Sequence, residues 1–265
     1  MDTGVEQAAQ RLLDADSTRT PCAPVRDLLG RDDVDRAYAV QRLLRASSEA
    51  DGRRVSGHKI GLTSPRVQAQ LGVDRPDFGV LHADMEVSGT VDTGRLLQPR
   101  IEAEVAVVLG RDLDGLSPDD APGRVAGAVA SVVAALEIVD SRIAGWDISF
   151  ADTVADNASS GLYVLGERKD PSVFGDDLGA GLAALTMTMT RDGEAVSSGT
   201  GADCLGSPLA ALTWLALTAA RLGDPLRAGE IVLTGALGPM VPVTGGDTFH
   251  ARVEGLGEVG VAFSA

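Results

Sequence analysis

Eight consecutive residues, Val132-Val133-Ala134-Ala135-Leu136-Glu137-Ile138-Val139, are apolar but for one carboxylate. A short run of this kind, rich in β-branched residues, predicts a buried strand. Burying Glu137 there without a partner costs several kcal/mol or forces the group to take up a proton. Any fold open to this chain must therefore bring something to Glu137. An arginine, Arg142 or Arg100, would make it one half of a structural ion pair. A metal ion shared with other carboxylates would make it a ligand.

The second informative stretch is Gln98-Pro99-Arg100-Ile101-Glu102-Ala103-Glu104-Val105. Strand periodicity puts Glu102 and Glu104 on one face and Ile101, Ala103 and Val105 on the other. The two carboxylates then lie roughly 7 Å apart and repel unless a cation stands between them. Taken alone, Glu-x-Glu is equally readable as a solvated strand face. Joined by Glu137, the three become hard oxygen donors suited to Mg²⁺ or Mn²⁺, with positions left open for water or substrate. Zinc would more usually bring His or Cys. His58, His82 and His250 are too scattered for that, and His250 is expected on a strand surface.

Lysine usage adds a third clue. Of 23 basic residues only Lys59 and Lys169 are lysines. Lys169, in Glu167-Arg168-Lys169-Asp170, is expected in a solvated turn. Lys59 lies among glycines and apolar residues in Gly57-His58-Lys59-Ile60-Gly61-Leu62-Thr63-Ser64. An amine there can hold a carboxylate or move a proton, because lysine tunes its pKa where arginine cannot; an exposed strand-end lysine is the plainer alternative. The segment from Asp152 to Gly161 is rich in small polar side chains. It could turn backbone N–H groups and hydroxyls toward an anion, or simply be a loop or helix cap.

The chain has 265 residues, 44% of them hydrophobic and only 3% aromatic, so its core must be built mainly from Ala, Val and Leu. The net charge of −15 argues against binding nucleic acid or docking on anionic membranes. Cys22 and Cys204 form neither a disulfide framework nor a metal cluster. The acidic start lacks a signal sequence, and no apolar run is expected to approach the about 18–20 residues that span a bilayer. The expected location is the cytoplasm.

Residues 1–54 read as a helical N-terminal region, with an amphipathic stretch from Val5 to Leu13 and a second helix capped by Asp32 or Asp33. Residues 55–265 read as a strand-rich body. Strands are expected at Ile101–Leu109, Ser131–Val139, Glu230–Leu233 and within Thr248–Phe263, with a hairpin turning at Arg191-Asp192-Gly193-Glu194. Ser117-Pro118 is expected to open one helix. Ser207-Pro208 opens the clearest one, which Gly223 and Pro225 end. Gly255-Leu256-Gly257-Glu258-Val259-Gly260 fits a dinucleotide fingerprint but leaves no room for the helix that must follow it.

These segments together resemble the 2-keto-4-pentenoate hydratase family within the fumarylacetoacetate hydrolase superfamily. The stretches that carry the resemblance are 57–64, 70–79, 97–104, 135–142, 152–161 and 233–240. Pro76-Asp77-Phe78-Gly79 and Thr234–Met240 favour the hydratase branch over the related 4-oxalocrotonate decarboxylase branch. The resemblance implies an α+β fold, a mixed rolled β-sheet body with a small helical N-terminal region. It implies a divalent metal, Mg²⁺ or Mn²⁺, on Glu102, Glu104 and Glu137. It implies a homo-oligomer, pentamer or decamer, in meta-cleavage breakdown of aromatic or steroid rings, beside a pathway aldolase or decarboxylase.

The implied reaction is hydration of 2-hydroxypenta-2,4-dienoate, or a longer homologue, to 4-hydroxy-2-oxopentanoate without a redox cofactor. Lys59 and donors near Ser159 are expected to hold the substrate carboxylate, and Leu81 and His82 to line its far end. His82 departs from the Phe expected at its position. Asp77, expected on a tight turn, is the first candidate to activate water, with Lys59 in reserve; the alternative for Asp77 is a side chain bonded to its own turn. Decarboxylation of a 2-oxo-3-enedioate is the nearest rival reaction. Hydrolytic C–C cleavage would need a His–Glu pair that the sequence does not display. A non-catalytic subunit of a pathway complex is the rival of another class.

Overall fold

A computed structural model of the chain describes residues 2–64, 68, 73 and 75–264; the stretch 70–79, one of those carrying the resemblance, lies partly outside them. Three helices come first: α1 (Thr3–Thr18), α2 (Arg26–Leu29) and α3 (Val34–Ala50). Asp2 caps α1, and Asp33, the second of the two expected caps, accepts the Arg36 N–H at the start of α3. Such caps satisfy amide groups that the first helical turn leaves without partners.

The body then runs β1 (Val55–Gly61), β2 (Asp77–His82), β3 (Thr90–Asp92), β4 (Pro99–Leu109), α4 (Ala121–Ala126), β5 (Val129–Asp140), α5 (Phe150–Ala155) and β6 (Ser160–Lys169). It continues with α6 (Leu178–Ala183), β7 (Thr186–Arg191), β8 (Glu194–Thr200), α7 (Pro208–Arg221), β9 (Ile231–Ala236), β10 (Val241–Pro242), β11 (Thr248–Val253) and β12 (Gly257–Ser264).

These strands build two mixed sheets. The larger runs β2-β1-β9-β4-β5-β6, with β10 on β4; the smaller runs β3-β12-β11-β7-β8. β9 pairs parallel with β1 and antiparallel with β4. β11 and β12 pack against β5, and β12 also against β6, closing the two sheets over one apolar core. A second, smaller cluster joins α1 and α3 to α5 through Leu12, Val40, Ile143, Phe150 and Val154.

Several sequence expectations shift. The helix expected from Ser117 starts at Ala121, because Asp120 turns back to accept the Ser117 N–H and hydroxyl. Lys169 closes strand β6 rather than a turn, and pairs with Glu167 at 2.9 Å. The fingerprint glycines Gly255 and Gly257 lie where β11 turns into β12. Among the described residues one helical stretch, Gly201–Arg221, is long and apolar enough to cross a membrane by length and composition, where the sequence reading admitted none. Its residues Ala211, Leu212, Leu215, Ala216 and Ala219 are spent in the main core.

Candidate active site

The pairing of β4 with β5 sets Glu102 directly opposite Glu137, with Glu104 two residues along the same face. Like charges directly opposed in a sheet repel. Each of the three nevertheless offers an oxygen within 4.8 Å of the others, and Glu104 and Glu137 are 0% and 1% exposed. That burial rules out a solvated strand face. Gly235 donates its N–H to Glu104 Oε2 at 2.8 Å. It can do so because its φ of +117° suits glycine alone. Glu104 Oε1 and both Glu137 oxygens have no hydrogen-bond partner among the described residues.

The partner demanded by Glu137 is neither arginine considered for it. Arg142 is taken by Asp156, and Arg100 lies over the Trp146 ring at 4.7 Å. The cation is Lys59, whose Nζ stands 3.2 Å from Glu137 Oε1. The residue is 2% exposed, so it is no strand-end surface lysine. β9 makes this possible: Lys59 is level with Leu233, and Leu233 with Ala106 on the Glu-bearing face of β4. Burial acts to lower the Lys59 pKa, but the charges of Glu137, Glu102, Asp77 and Glu104 outweigh it and hold the ammonium above its ordinary range. Burial, then repulsion from Glu137, raises Glu102 to about 7 and Glu104 well above the carboxylate range.

Asp77 opens β2 and is buried, where a turn was expected. The Thr153 hydroxyl donates to its Oδ2 at 2.9 Å, and Oδ1 has no partner among the described residues. Burial pushes the Asp77 carboxyl up. Gly61, paired with Asp77 across the strands, leaves the space between Asp77 and Lys59 open. A Cβ on it would overlap Asp77 Oδ1 and stand 3.7 Å from Lys59 Nζ.

Of the polar segment from Asp152 to Gly161, Thr153 brings a hydroxyl to Asp77, whereas Ser159 keeps its donors within the segment. Asn157, Ala158 and Ser159 all have φ near +50°, a strained run for non-glycine residues. Asn157 is clamped to both backbone groups of Val80, at 2.8 and 2.9 Å. Ser159 spends its hydroxyl on Asp156 Oδ2 and its N–H on the Asp156 carbonyl, both at 3.0 Å. The run delivers an acceptor instead: the Ala158 carbonyl takes a hydrogen bond from Lys59 Nζ at 3.0 Å.

Leu81 shares the Lys59 face of β2, and its neighbour His82 points to the other face. There His82 lines a cavity of about 360 Å³ with Val80, Arg53, Asp140 and Arg142. Its ring nitrogens have no hydrogen-bond partner among the described residues. The structure thus brings Lys59, Asp77, Glu102, Glu104 and Glu137 together and turns His82 to the opposite face of β2. It bonds the hydroxyl of Ser159, one residue beyond the carbonyl that Lys59 meets, to Asp156. A His–Glu pair does exist, His58 Nδ1 and Glu230 Oε2 at 3.4 Å, but alternation along β1 turns His58 away from the Lys59 face. Thr153, Gly61 and Gly235 were not singled out from the sequence. Their roles rest on contacts with residues 76, 16 and 131 positions away, which no local pattern signals.

Two buried carboxylates with uncommitted oxygens, and a third half-buried beside them, fit a hard divalent cation. Glu102, Glu104 and Glu137 would hold it, and the cation would offset the repulsion that opposes their shared burial.

Comparison with known proteins agrees with this chemistry. Residues 69–263 match the model of the fumarylacetoacetate (FAA) hydrolase C-terminal family. The 2-keto-4-pentenoate hydratase of Paraburkholderia phymatum is 51% identical over 99% of this chain and 98% of its own. The 2-hydroxyhexa-2,4-dienoate hydratase of Comamonas testosteroni is 39% identical over 98% and 97%. Among solved structures, the 4-oxalocrotonate decarboxylase of Pseudomonas putida G7, complexed with magnesium and adipate, superposes with a TM-score of 0.90. It is 34% identical and covers 98% of this chain and 97% of its own.

Proposed function

The chain belongs to the fumarylacetoacetate hydrolase family, and on that premise we propose that it is a divalent-metal-dependent hydratase of 2-hydroxypenta-2,4-dienoate or a longer homologue. One observation carries the reading. Three clustered glutamates, two of them buried with oxygens that lack hydrogen-bond donors, a buried ammonium and a buried aspartate with a free oxygen converge on one sheet face. Full-length relatives that bear hydratase names support it.

A divalent cation on Glu102, Glu104 and Glu137 would supply Lewis acidity to the 2-oxygen and carboxylate of the substrate. Lys59 holds the substrate carboxylate by charge. The Lys59 ammonium, reaching into this space, gives C5 a proton and takes up the one that the 2-hydroxyl loses, so the 2-oxo-3-enoate forms and the ammonium is restored. Asp77 Oδ1 then takes a proton from water as its oxygen bonds to C4. The proton taken up by Asp77 is passed on to C3, which completes 4-hydroxy-2-oxopentanoate and returns Asp77 to its carboxylate. Burial of Lys59, Asp77, Glu104 and Glu137 excludes bulk water and strengthens the charges involved.

Decarboxylation of a 2-oxo-3-enedioate would use the same carboxylates and Lys59, and the likeness to the decarboxylase structure makes it the reading to test against. Dienoates and enedioates of graded length are assayed with Mg²⁺ and after chelation, with product identification. Metal-dependent formation of a 4-hydroxy-2-oxo acid is expected. Release of CO₂ from the enedioate without hydration overturns the reading. The chain works in the cytoplasm as a homo-oligomer, a pentamer or decamer, and light scattering of the purified protein checks that assembly.

A further inference from the structure

We propose that Thr153 is a positioning residue for Asp77, aiming one carboxylate oxygen at the reacting carbons; this rests on the reading of Asp77 as the water-activating base. A carboxylate presents two equivalent oxygens and turns freely about its last torsion unless something holds one of them. Thr153 holds Oδ2, leaving Oδ1 buried in the space that Gly61 keeps open beside Lys59.

The hydroxyl has been drawn away from its ordinary use. In a helix, a threonine hydroxyl commonly bonds the carbonyl four residues back. The Ser149 carbonyl does receive the Thr153 N–H at 3.0 Å, but the hydroxyl reaches across to β2.

The reach is fixed from several sides. Gln41 on α3 donates one amide nitrogen to the Phe78 carbonyl at 2.7 Å and the Val154 carbonyl at 3.1 Å. It thereby staples the residue after Asp77 to the residue after Thr153. Asp152 accepts the Val25 and Arg26 N–H groups, each at 2.8 Å. Asp156 accepts Arg142 Nε at 2.5 Å. These three bonds lock α5, and branching at Cβ limits the rotamers of Thr153 itself. A rigid donor on a rigid helix is what a general base needs, since small errors of placement are costly in rate.

Thr153→Val keeps the shape and removes the donor. It is expected to lower kcat about 10-fold, with KM within about twofold, and to leave Mg²⁺ binding and melting temperature near those of the parent. Thr153→Ser, which keeps the hydroxyl, recovers most of the rate, and Thr153→Ala replaces the valine variant should that not fold. The same change in an Asp77→Asn background is expected to cost nothing further, because Thr153 acts through Asp77. An equal loss in both backgrounds, or a parental kcat in Thr153→Val while Asp77→Asn is slow, overturns the proposal and leaves Asp77 as the base. A parental rate in Asp77→Asn overturns the reading of Asp77 and this proposal with it.

Discussion

Two neighbouring groups of buried acids are treated in opposite ways. Around α5, Asp152 receives two backbone amides, the Ser149 N–H and hydroxyl, and Arg26. Asp156 receives Arg142, Ser141 and Ser159. Asp140 takes the N–H groups of Leu97 and Gln98. Burial raises the Asp156 and Asp140 pKa values, while Arg142 and the backbone donors respectively pull them down. On the sheet face, Glu104, Glu137 and Asp77 are as deeply buried but keep oxygens without donors. Native structures rarely leave such groups unsatisfied. The first set therefore builds the frame, and the second keeps its bonding capacity for what binds there.

The sharpest break in this comparison is a framing acid. Asp156→Ala leaves Arg142 buried without its counter-charge and should cost about 3–5 kcal/mol of folding stability, read by urea denaturation. A loss below about 1 kcal/mol would erase the distinction. Lys59→Ala should cut turnover about 100-fold or more while the protein still binds Mg²⁺. Lys59→Arg should not restore it, because arginine keeps the charge but cannot release the proton; a fully active arginine variant would reduce Lys59 to a charge anchor.

Metal binding separates the two sets directly. Mg²⁺ at about a hundredfold over its dissociation constant should add about 2.7 kcal/mol, seen as a raised melting temperature. Glu104→Gln should abolish most of that gain. Asp140→Asn should start from a lower melting temperature and keep it.

The smallest effect concerns His82, an unsatisfied group outside the triad. Burial, helped by Arg53, lowers its pKa to about 4 from 6.5. The unfolded chain takes up the proton first, so this contribution is whole above pH 6.5 and is lost as pH falls toward 4. His82→Phe should flatten the melting temperature between pH 7 and pH 5 by a few degrees. An unchanged slope would show that His82 titrates normally.

Local signals made much of the frame legible. Asp33 and Ser207 cap their helices as a sequence reading expects, and Asp192-Gly193 turns the β7–β8 hairpin. The three glutamates were legible because a charge inside an apolar strand demands a partner. The identity of that partner was not, because Lys59 reaches Glu137 only after β9 is inserted between β1 and β4. The acids of α5 were equally hidden. Asp152 and Asp156 look like loop polarity, and their donors at Val25 and Arg142 come from other elements. Asp77 was read as a turn residue at a strand end because Pro76 precedes it and Phe78-Gly79 follow; it is the first residue of β2, paired with Gly61 of β1.

The place of β9 also sets an order of events during synthesis. β4 and β5 are consecutive strands of the larger sheet and can pair as soon as residue 140 is made, which gathers the three mutually repelling glutamates first. β1 and β2 can form their own hairpin earlier still. Residues 231–236 then join the two pieces. At about 5–20 residues per second, a nascent chain spends seconds with its acids assembled and its lysine undocked. A ribosome-bound chain halted before residue 231 should therefore hold the carboxylates without the cation that balances them, and the whole site should appear in one late step.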